Sequence, residues 1–323
     1  NHQGNIDNAF ELIKEAKQCG ADAVKLQKRD NKKLYTKAFY DSKYDHENSY
    51  GETYGKHRDF LEFDLVQYKE LQAYAKDLKI DFFATPFDLP SIEFLEKINM
   101  PCYKIASADL TNSPLQTELA KLGKPLIQST GGGTLLDVKR AIETISKFNK
   151  DLTILHCTAS YPSKIEDMNL AVIQTYKKEF KEFRIGLSDH ENGIDAAPIA
   201  YMLGARTFEK HFTLNRASKG TDHAFSLEPQ GLSKLVRNLH RIDKMLGSNE
   251  KKLLESEKKP LFKMKKSIVA CKNLAAGHLL KFEDIVFKSP GGGLEPYRFN
   301  EVVGKKIISK VNEDEIITLD NLN

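Results

Sequence analysis

The sequence predicts an α/β protein, a TIM-type (β/α)8 barrel followed by a small β-rich domain. Three observations predict it. Short β-rich runs alternate with amphipathic helical patterns as far as Gly247, which implies strand–helix units and a parallel sheet. Nearly every run ends in polar residues, as barrel strands do when their C-terminal ends converge on one mouth. From Ser267 the texture changes to short β-rich pieces punctuated by Gly and Pro.

The elements follow in order. The first helical pattern, "NAFELIKEAKQCG", closes on Gly20 and leaves no room for a strand ahead of it. Seven strands are predicted, at 23–27, 81–85, 102–106, 125–129, 152–157, 184–189 and 206–212. The strand that completes eight is therefore expected before Asn1. Helices "LVQYKELQAYAKDL", "LLDVKRAIETISKF" and "LSKLVRNLHRIDKML" fall between or after these runs. Residues 28–64 lack a core pattern and are rich in Tyr, Lys, Asp and His. A connection this long fits a functional loop or lid, and equally a surface insertion. The barrel is expected over 1–246, a charged linker over 247–266 and the small domain over 267–323. A domain this short has a marginal core and is expected to dock on something.

The chain has 323 residues, 40% of them hydrophobic, enough for a sizeable core. Its net charge of +4 comes from 49 basic and 45 acidic residues, too mild a balance to argue for nucleic acid or a membrane surface. No apolar stretch approaches a bilayer span. Cys19, Cys102, Cys157 and Cys271 lie far apart without CxxC spacing, and read as reduced thiols of a cytoplasmic protein. Cys102 and Cys157 sit inside apolar runs and read as buried thiols rather than nucleophiles.

The strand ends gather the chemistry. They carry Lys25 and Gln27, Thr85, Lys104 and Ser107, Ser129, Ser188 with Asp189 and His190, and Glu209 with His211. Hydroxyls and lysines together suit a phosphate, and the backbone of "STGGGT" (129–134) at a helix start adds a further anion contact. Lys25 and Lys104 interrupt apolar strands. A buried ammonium needs a partner, either a structural carboxylate or an anionic ligand. A shared ligand explains both at once. His190 and His211 are expected at the same depth on adjacent strands. With Asp189 and Glu209 beside them, they are candidate ligands of one divalent metal.

These residues sit in an ordered set of motifs: "NHQG" (1–4), "GADAVKLQ" (20–27), "ATPFD" (84–88), "YKIASAD" (103–109), "QSTGG" (128–132), "LHCTASYPSKIEDMNL" (155–170), "GLSDH" (186–190), "FEKHFT" (208–213) and "KGTDHAFSLEP" (219–229). The chain resembles the sialic acid synthase family, the N-acetylneuraminate synthases, across the whole barrel. Its tail resembles that family's antifreeze-like SAF domain. The resemblance implies condensation of phosphoenolpyruvate with N-acetylmannosamine, a related N-acyl amino sugar or its 6-phosphate. The products would be a nine-carbon 2-keto sugar acid and phosphate. It implies that Lys25, Thr85, Lys104, Ser107, Ser129 and Ser188 hold phosphoenolpyruvate, and that His190 and His211 bind Mn2+ or Mg2+. Gln27, Tyr161, Glu209 and Asp222 would face the sugar or the metal's water shell. Glu209, Asp109, Asp222 and Lys104 are the candidate catalytic groups. A homodimer is implied, in which each tail domain caps the partner's barrel.

Four departures accompany the resemblance. The family's glutamate ahead of the "NH" motif falls before Asn1. Asp109 stands where the family often has Glu, Ala159 where many bacterial members have Asn, and Ser289 where bacterial members carry Arg. Rival readings remain at this stage. A metal-dependent hydrolase needs no paired strand lysines, and a Schiff-base aldolase needs one isolated lysine. A legionaminic or pseudaminic acid synthase differs only in the acceptor. A non-catalytic sugar-binding protein has no need to keep Lys25, Lys104, His190 and His211 together.

Overall fold

The computed structural model describes the whole chain, Asn1–Asn323. Seven parallel strands form one sheet in sequence order: β1 (Ala23–Lys28), β2 (Asp81–Pro86), β3 (Tyr103–Ile105), β4 (Leu126–Ser129), β5 (Leu152–Cys157), β6 (Arg184–Asp189) and β7 (Thr207–Lys210). All seven expected runs are strands, although β7 stops short of His211 and Phe212. Strands about 4.8 Å apart in a flat sheet would put β1 and β7 roughly 29 Å from each other. Lys25 Nζ of β1 nevertheless lies 3.6 Å from Glu209 Oε1 of β7. The sheet is therefore curled into a barrel. The sheet has β1 and β7 as its two edges, and no strand pairs one with the other. A cavity of about 570 Å³ reaches between these edges, past Val24, Leu26, Thr207 and Phe208.

Helices join the strands and cover the outside. The helix Leu65–Asp77 starts with a reciprocal cap between Asp64 and Gln67, and Leu135–Ser146 with one between Thr134 and Asp137. Such caps satisfy backbone N–H groups that the first turn leaves unpaired. The inward faces of these helices, including Leu71, Ala75, Ala141 and Ile145, share one core with Tyr103, Ile105, Leu126 and Ile154. Each fully buried Leu or Ile contributes about 2 kcal/mol.

Strand alternation sorts β6 and β7. Ser188 pairs in register with Glu209, and Asp189 with Lys210. Successive side chains point to opposite faces, so the first pair and the second cannot share a face. Asp189 Oδ2 and Lys210 Nζ are 2.7 Å apart and nearly inaccessible, with 3% and 6% of their side chains exposed. This corrects the expectation that Asp189 adjoins the histidines, because its charge is taken by Lys210. Breaking such a buried pair leaves one uncompensated charge. Asp189→Ala is expected to destabilise the protein by roughly 3–5 kcal/mol. Asp189→Ala with Lys210→Met should recover part of the loss. Urea unfolding with unshifted midpoints would show that the pair contributes nothing.

Residues 28–64 are ordered. Short helices Asn31–Leu34, Lys37–Tyr40 and Tyr54–Phe60 enclose an aromatic cluster, with ring centroids 4.6 Å apart for Phe39–Tyr54 and 4.8 Å for Tyr44–His57. The Tyr50 hydroxyl donates to the Lys219 carbonyl at 2.7 Å, and the Gly220 N–H donates to Asn48 Oδ1 at 2.8 Å. The segment is thus fastened to the loop that follows β7.

The chain divides into two compact units, Asn1–Leu246 and Gly247–Asn323. The second includes the helix Glu255–Met264, inside the stretch expected to be a plain linker. Its only paired strands are β8 (Ser267–Ala270) and β9 (Ile285–Lys288), which run antiparallel. Isolated bridges and 3-10 turns supply the rest. Ile268, Leu274, Leu280, Val302, Ile307, Val311 and Ile317 form its own core. Buried Asp284 ties the unit together, meeting Lys272 Nζ and His278 Nε2 at 2.7 Å each and the Lys281 N–H at 2.8 Å. No helix in the chain is long and apolar enough to cross a membrane.

Candidate active site

The inner end of the barrel mouth is built around one carboxylate. Glu209 Oε1 lies 3.6 Å from Lys25 Nζ and 3.7 Å from Lys104 Nζ, and accepts from the Ser188 hydroxyl at 3.2 Å. Lys104 donates to Ser129 Oγ at 2.5 Å, and Lys25 to Thr85 Oγ1 at 3.4 Å. Burial by itself would raise the Glu209 pKa. The two ammonium groups, His211 and Ser188 outweigh it and bring the value down to about 2. Burial lowers the Lys104 pKa to about 8, with Glu209 opposing and Lys25 assisting the fall. Two cations share one anion, so the pocket is short of negative charge.

Ser107 joins this cluster through backbone. Its hydroxyl accepts from the Gly131 N–H at 2.9 Å, within the expected anion loop. A Cβ on Gly131 would come within 2.8 Å of the Ala159 Cβ and 2.9 Å of Ser107 Oγ, so only glycine permits the approach. Cys157, read from the sequence as inert core, lies among these groups. Its thiol is 3.5 Å from Ser107 Oγ and 3.8 Å from His190 Nδ1.

His190 and His211 each follow their strand by one residue, which extends the Ser188–Glu209 register to a facing pair. Their ring centroids are 5.3 Å apart. His190 Nδ1 lies 2.9 Å from the Thr158 carbonyl, and His211 Nδ1 faces Asp222 Oδ2 at 3.6 Å. The Thr158 carbonyl at His190 Nδ1 favours the tautomer that leaves the Nε2 lone pair free for a metal. Burial, with His190 and Lys25 nearby, lowers the His211 pKa to about 4 despite Asp222, so this imidazole is neutral. The donor set therefore fits a divalent ion. No third His, Cys, Asp or Glu converges on the pair, so water and substrate oxygens would complete the shell.

The remaining expected residues divide. The Tyr161 ring lies 4.2 Å from the His190 ring, tilted by 41° to it, and half of it is exposed. Gln27 and Asp222 line the same large cavity as Lys25, Glu209 and His211. Asp109 stands apart. Its carboxylate accepts from Asn112 Nδ2 at 2.9 Å, its second oxygen has no partner, and it forms no ion pair with either lysine. Burial raises its pKa. Several cavity residues escaped the sequence reading, notably His2, Arg29, Tyr50 and Arg58. Arg29 was within reach, since Lys25, Gln27 and Arg29 follow the two-residue period of one strand face.

A lysine pair on a shared carboxylate, a hydroxyl set and two facing histidines form one mouth on a parallel barrel. The NeuB family signature matches residues 12–251, and the SAF domain signature matches residues 265–323. The chain belongs to the NeuB family. Among its NeuB relatives, mouse N-acetylneuraminate-9-phosphate synthase is 38% identical over 98% of this chain and 89% of its own length. The N,N'-diacetyllegionaminic acid synthase of Campylobacter jejuni is 36% identical over 98% of this chain and 96% of its own. The solved N-acetylneuraminic acid synthetase of Leptospira borgpetersenii, in complex with citrate, superposes with a TM-score of 0.69 at 33% identity. It covers 81% of this chain and 87% of that one. Family membership carries the fold, a (β/α) barrel followed by an SAF domain, and a synthase of nonulosonic acids as the class of enzyme.

Proposed function

We propose that the protein condenses phosphoenolpyruvate with an open-chain N-acyl mannose-type sugar and water. The products are a nine-carbon 2-keto sugar acid and phosphate. One observation carries the reading: Glu209 is shared by Lys25 and Lys104 directly beneath the facing His190 and His211. Phosphoenolpyruvate binds where the lysines lack anions, with Thr85, Ser107, Ser129 and Ser188 as further donors or acceptors. His190 and His211 hold Mn2+ or Mg2+, which when bound supplies Lewis-acid polarisation of the sugar aldehyde. Gln27, Tyr161 and Asp222 line the sugar's path.

The chain's own groups then perform the chemistry. The methylene carbon of phosphoenolpyruvate attacks the aldehyde carbon, forming the C–C bond, while the carbonyl π pair moves to oxygen, which takes up a proton from solvent, and C2 of the enol ester is left electron-poor. Glu209, ionised at neutral pH, is the nearest carboxylate to accept a proton as water adds at C2. The tetrahedral adduct expels phosphate by C–O cleavage, and Lys25 and Lys104 neutralise the charge on the leaving group. The Schiff-base alternative needs an amine with a free lone pair, whereas Lys104 is tied to Ser129 and the carboxylate.

Phosphate release from phosphoenolpyruvate is expected only when an N-acyl mannosamine is present. With oxygen-18 in the bridging position of phosphoenolpyruvate, the label is expected in the released phosphate and none in the keto acid. Label retained in the keto acid would mean P–O cleavage and would overturn the mechanism. Phosphate release that ignores the sugar would overturn the reaction itself.

A further inference from the structure

The turn that ends β4 is held by two hydroxyls that lie outside the mouth cavity. Thr130 stands between Ser129, which accepts from Lys104, and Gly131, whose N–H donates to Ser107 Oγ. The Thr130 hydroxyl donates to the Leu155 carbonyl of β5 at 2.9 Å, and the Tyr176 hydroxyl donates to Thr130 Oγ1 at 3.0 Å. A carbonyl only accepts, so the single Thr130 proton goes to Leu155 and its oxygen receives the phenol. Burial raises the Tyr176 pKa, which keeps the phenol a donor. Thr130 and Tyr176 are 3% and 5% exposed, and neither lines the cavity. Both hydroxyl protons are spent within the protein. Tyr176 belongs to the helix Val172–Glu179, and its ring meets His156 edge-on at 6.1 Å. His156 Nε2 donates to the Met168 carbonyl at 2.6 Å, which fastens the chain between β5 and this helix.

We propose that Tyr176 is a positioning residue for phosphoenolpyruvate, acting through Thr130 on Ser129 and Gly131. The inference rests on the synthase reading for the identity of the anion, and adds a residue that never meets it. Thr130 is the last residue with a side chain before Gly131, Gly132 and Gly133. Glycines are conformationally permissive and bring no side chain to pack, so the turn cannot hold its own place. The Thr130 hydroxyl ties it to β5, and the phenol keeps that hydroxyl pointed at Leu155. A shift of Thr130 would carry Ser129 and Gly131 with it, one from Lys104 and the other from Ser107. Displacements of an ångström in such contacts are costly to a preorganised site.

The test is calorimetric titration of phosphoenolpyruvate into the full-length, Mn2+-loaded protein without sugar. Tyr176→Phe is expected to weaken binding by about three- to tenfold, the scale of one hydrogen bond. Thr130→Val should weaken it by about tenfold or more. Thr130→Ser, which keeps the hydroxyl, should bind as the wild type does. Tyr176→Phe added to Thr130→Val should cost nothing further, because the phenol acts only through the hydroxyl already lost. In turnover with N-acetylmannosamine or its 6-phosphate, the loss should appear in KM for phosphoenolpyruvate, with KM for the sugar and Mn2+ affinity at wild-type values. Lower urea midpoints with wild-type phosphoenolpyruvate affinity would make the bond merely structural and overturn the proposal, as would losses that add in the double variant. If neither sugar is condensed, the synthase reading fails. Selective weakening of phosphoenolpyruvate in Tyr176→Phe would then still support the positioning role, and a wild type that does not bind phosphoenolpyruvate would refute it.

Discussion

Lys104→Ala is expected to lower kcat by at least about a hundredfold, the usual scale for losing one preorganised electrostatic donor. Lys104 is almost wholly buried, donates to Ser129 and approaches Glu209. Its charge would therefore be fixed in place before a leaving phosphate develops its own. The same lysine sets a pH limit. Burial lowers its pKa to about 8, so below that value it is a cation, able to attract an anionic substrate. As pH rises through about 8 the free protein loses that charge, and kcat/KM for phosphoenolpyruvate is expected to fall. Lys104→Ala should lack this limb of the profile. A variant with wild-type turnover and an unchanged profile would show that Lys104 is only a counterion for Glu209.

The second large effect belongs to the histidine pair. His190→Ala and His211→Ala are each expected to weaken Mn2+ binding by about a hundredfold or more, since even outer-shell losses cost 10–100-fold. Electron paramagnetic resonance of Mn2+ titrated into the protein measures this without reference to activity. Asp222→Asn, which leaves both imidazoles in place, should weaken the ion by a smaller factor through His211. Wild-type Mn2+ affinity in both alanine variants would place the ion elsewhere or remove it from the reaction.

The fold and the inner half of the site were legible in the sequence for a physical reason. Ser129, Ser188 and Glu209 each follow a short apolar run, while Lys25 and Lys104 interrupt one, and polar residues at such positions mark a strand tip in a barrel. The register that brings Ser188 to Glu209, and His190 to His211, follows from the matching positions of the two runs. The outer half was not legible. Arg29, Tyr50 and Arg58 reach the cavity through a segment whose core is a cluster of Tyr, Phe and His side chains, without helical or strand period. Asn48 and Tyr50 bind a loop about 170 positions away, at Lys219 and Gly220, and no local pattern announces such a contact. Asp189 neighbours His190 in sequence but not in space, because alternate residues of a strand face apart.

The alternation along β6 and β7 also decides where the gene can tolerate changes in length. On one face stand Ser188, His190, Glu209 and His211, and on the other the Asp189–Lys210 pair. Deleting or inserting a single codon within either strand would slip the frame by one residue and exchange the two faces. A carboxylate or lysine would then enter the mouth and an imidazole would enter the apolar layer beneath the helices. Between Lys28 and Asp64 no such parity exists, because short helices and turns absorb added residues without reversing a strand. Length variation among descendants of this chain is thus confined by geometry to the segment between Lys28 and Asp64. The strands that end at the barrel mouth keep their count.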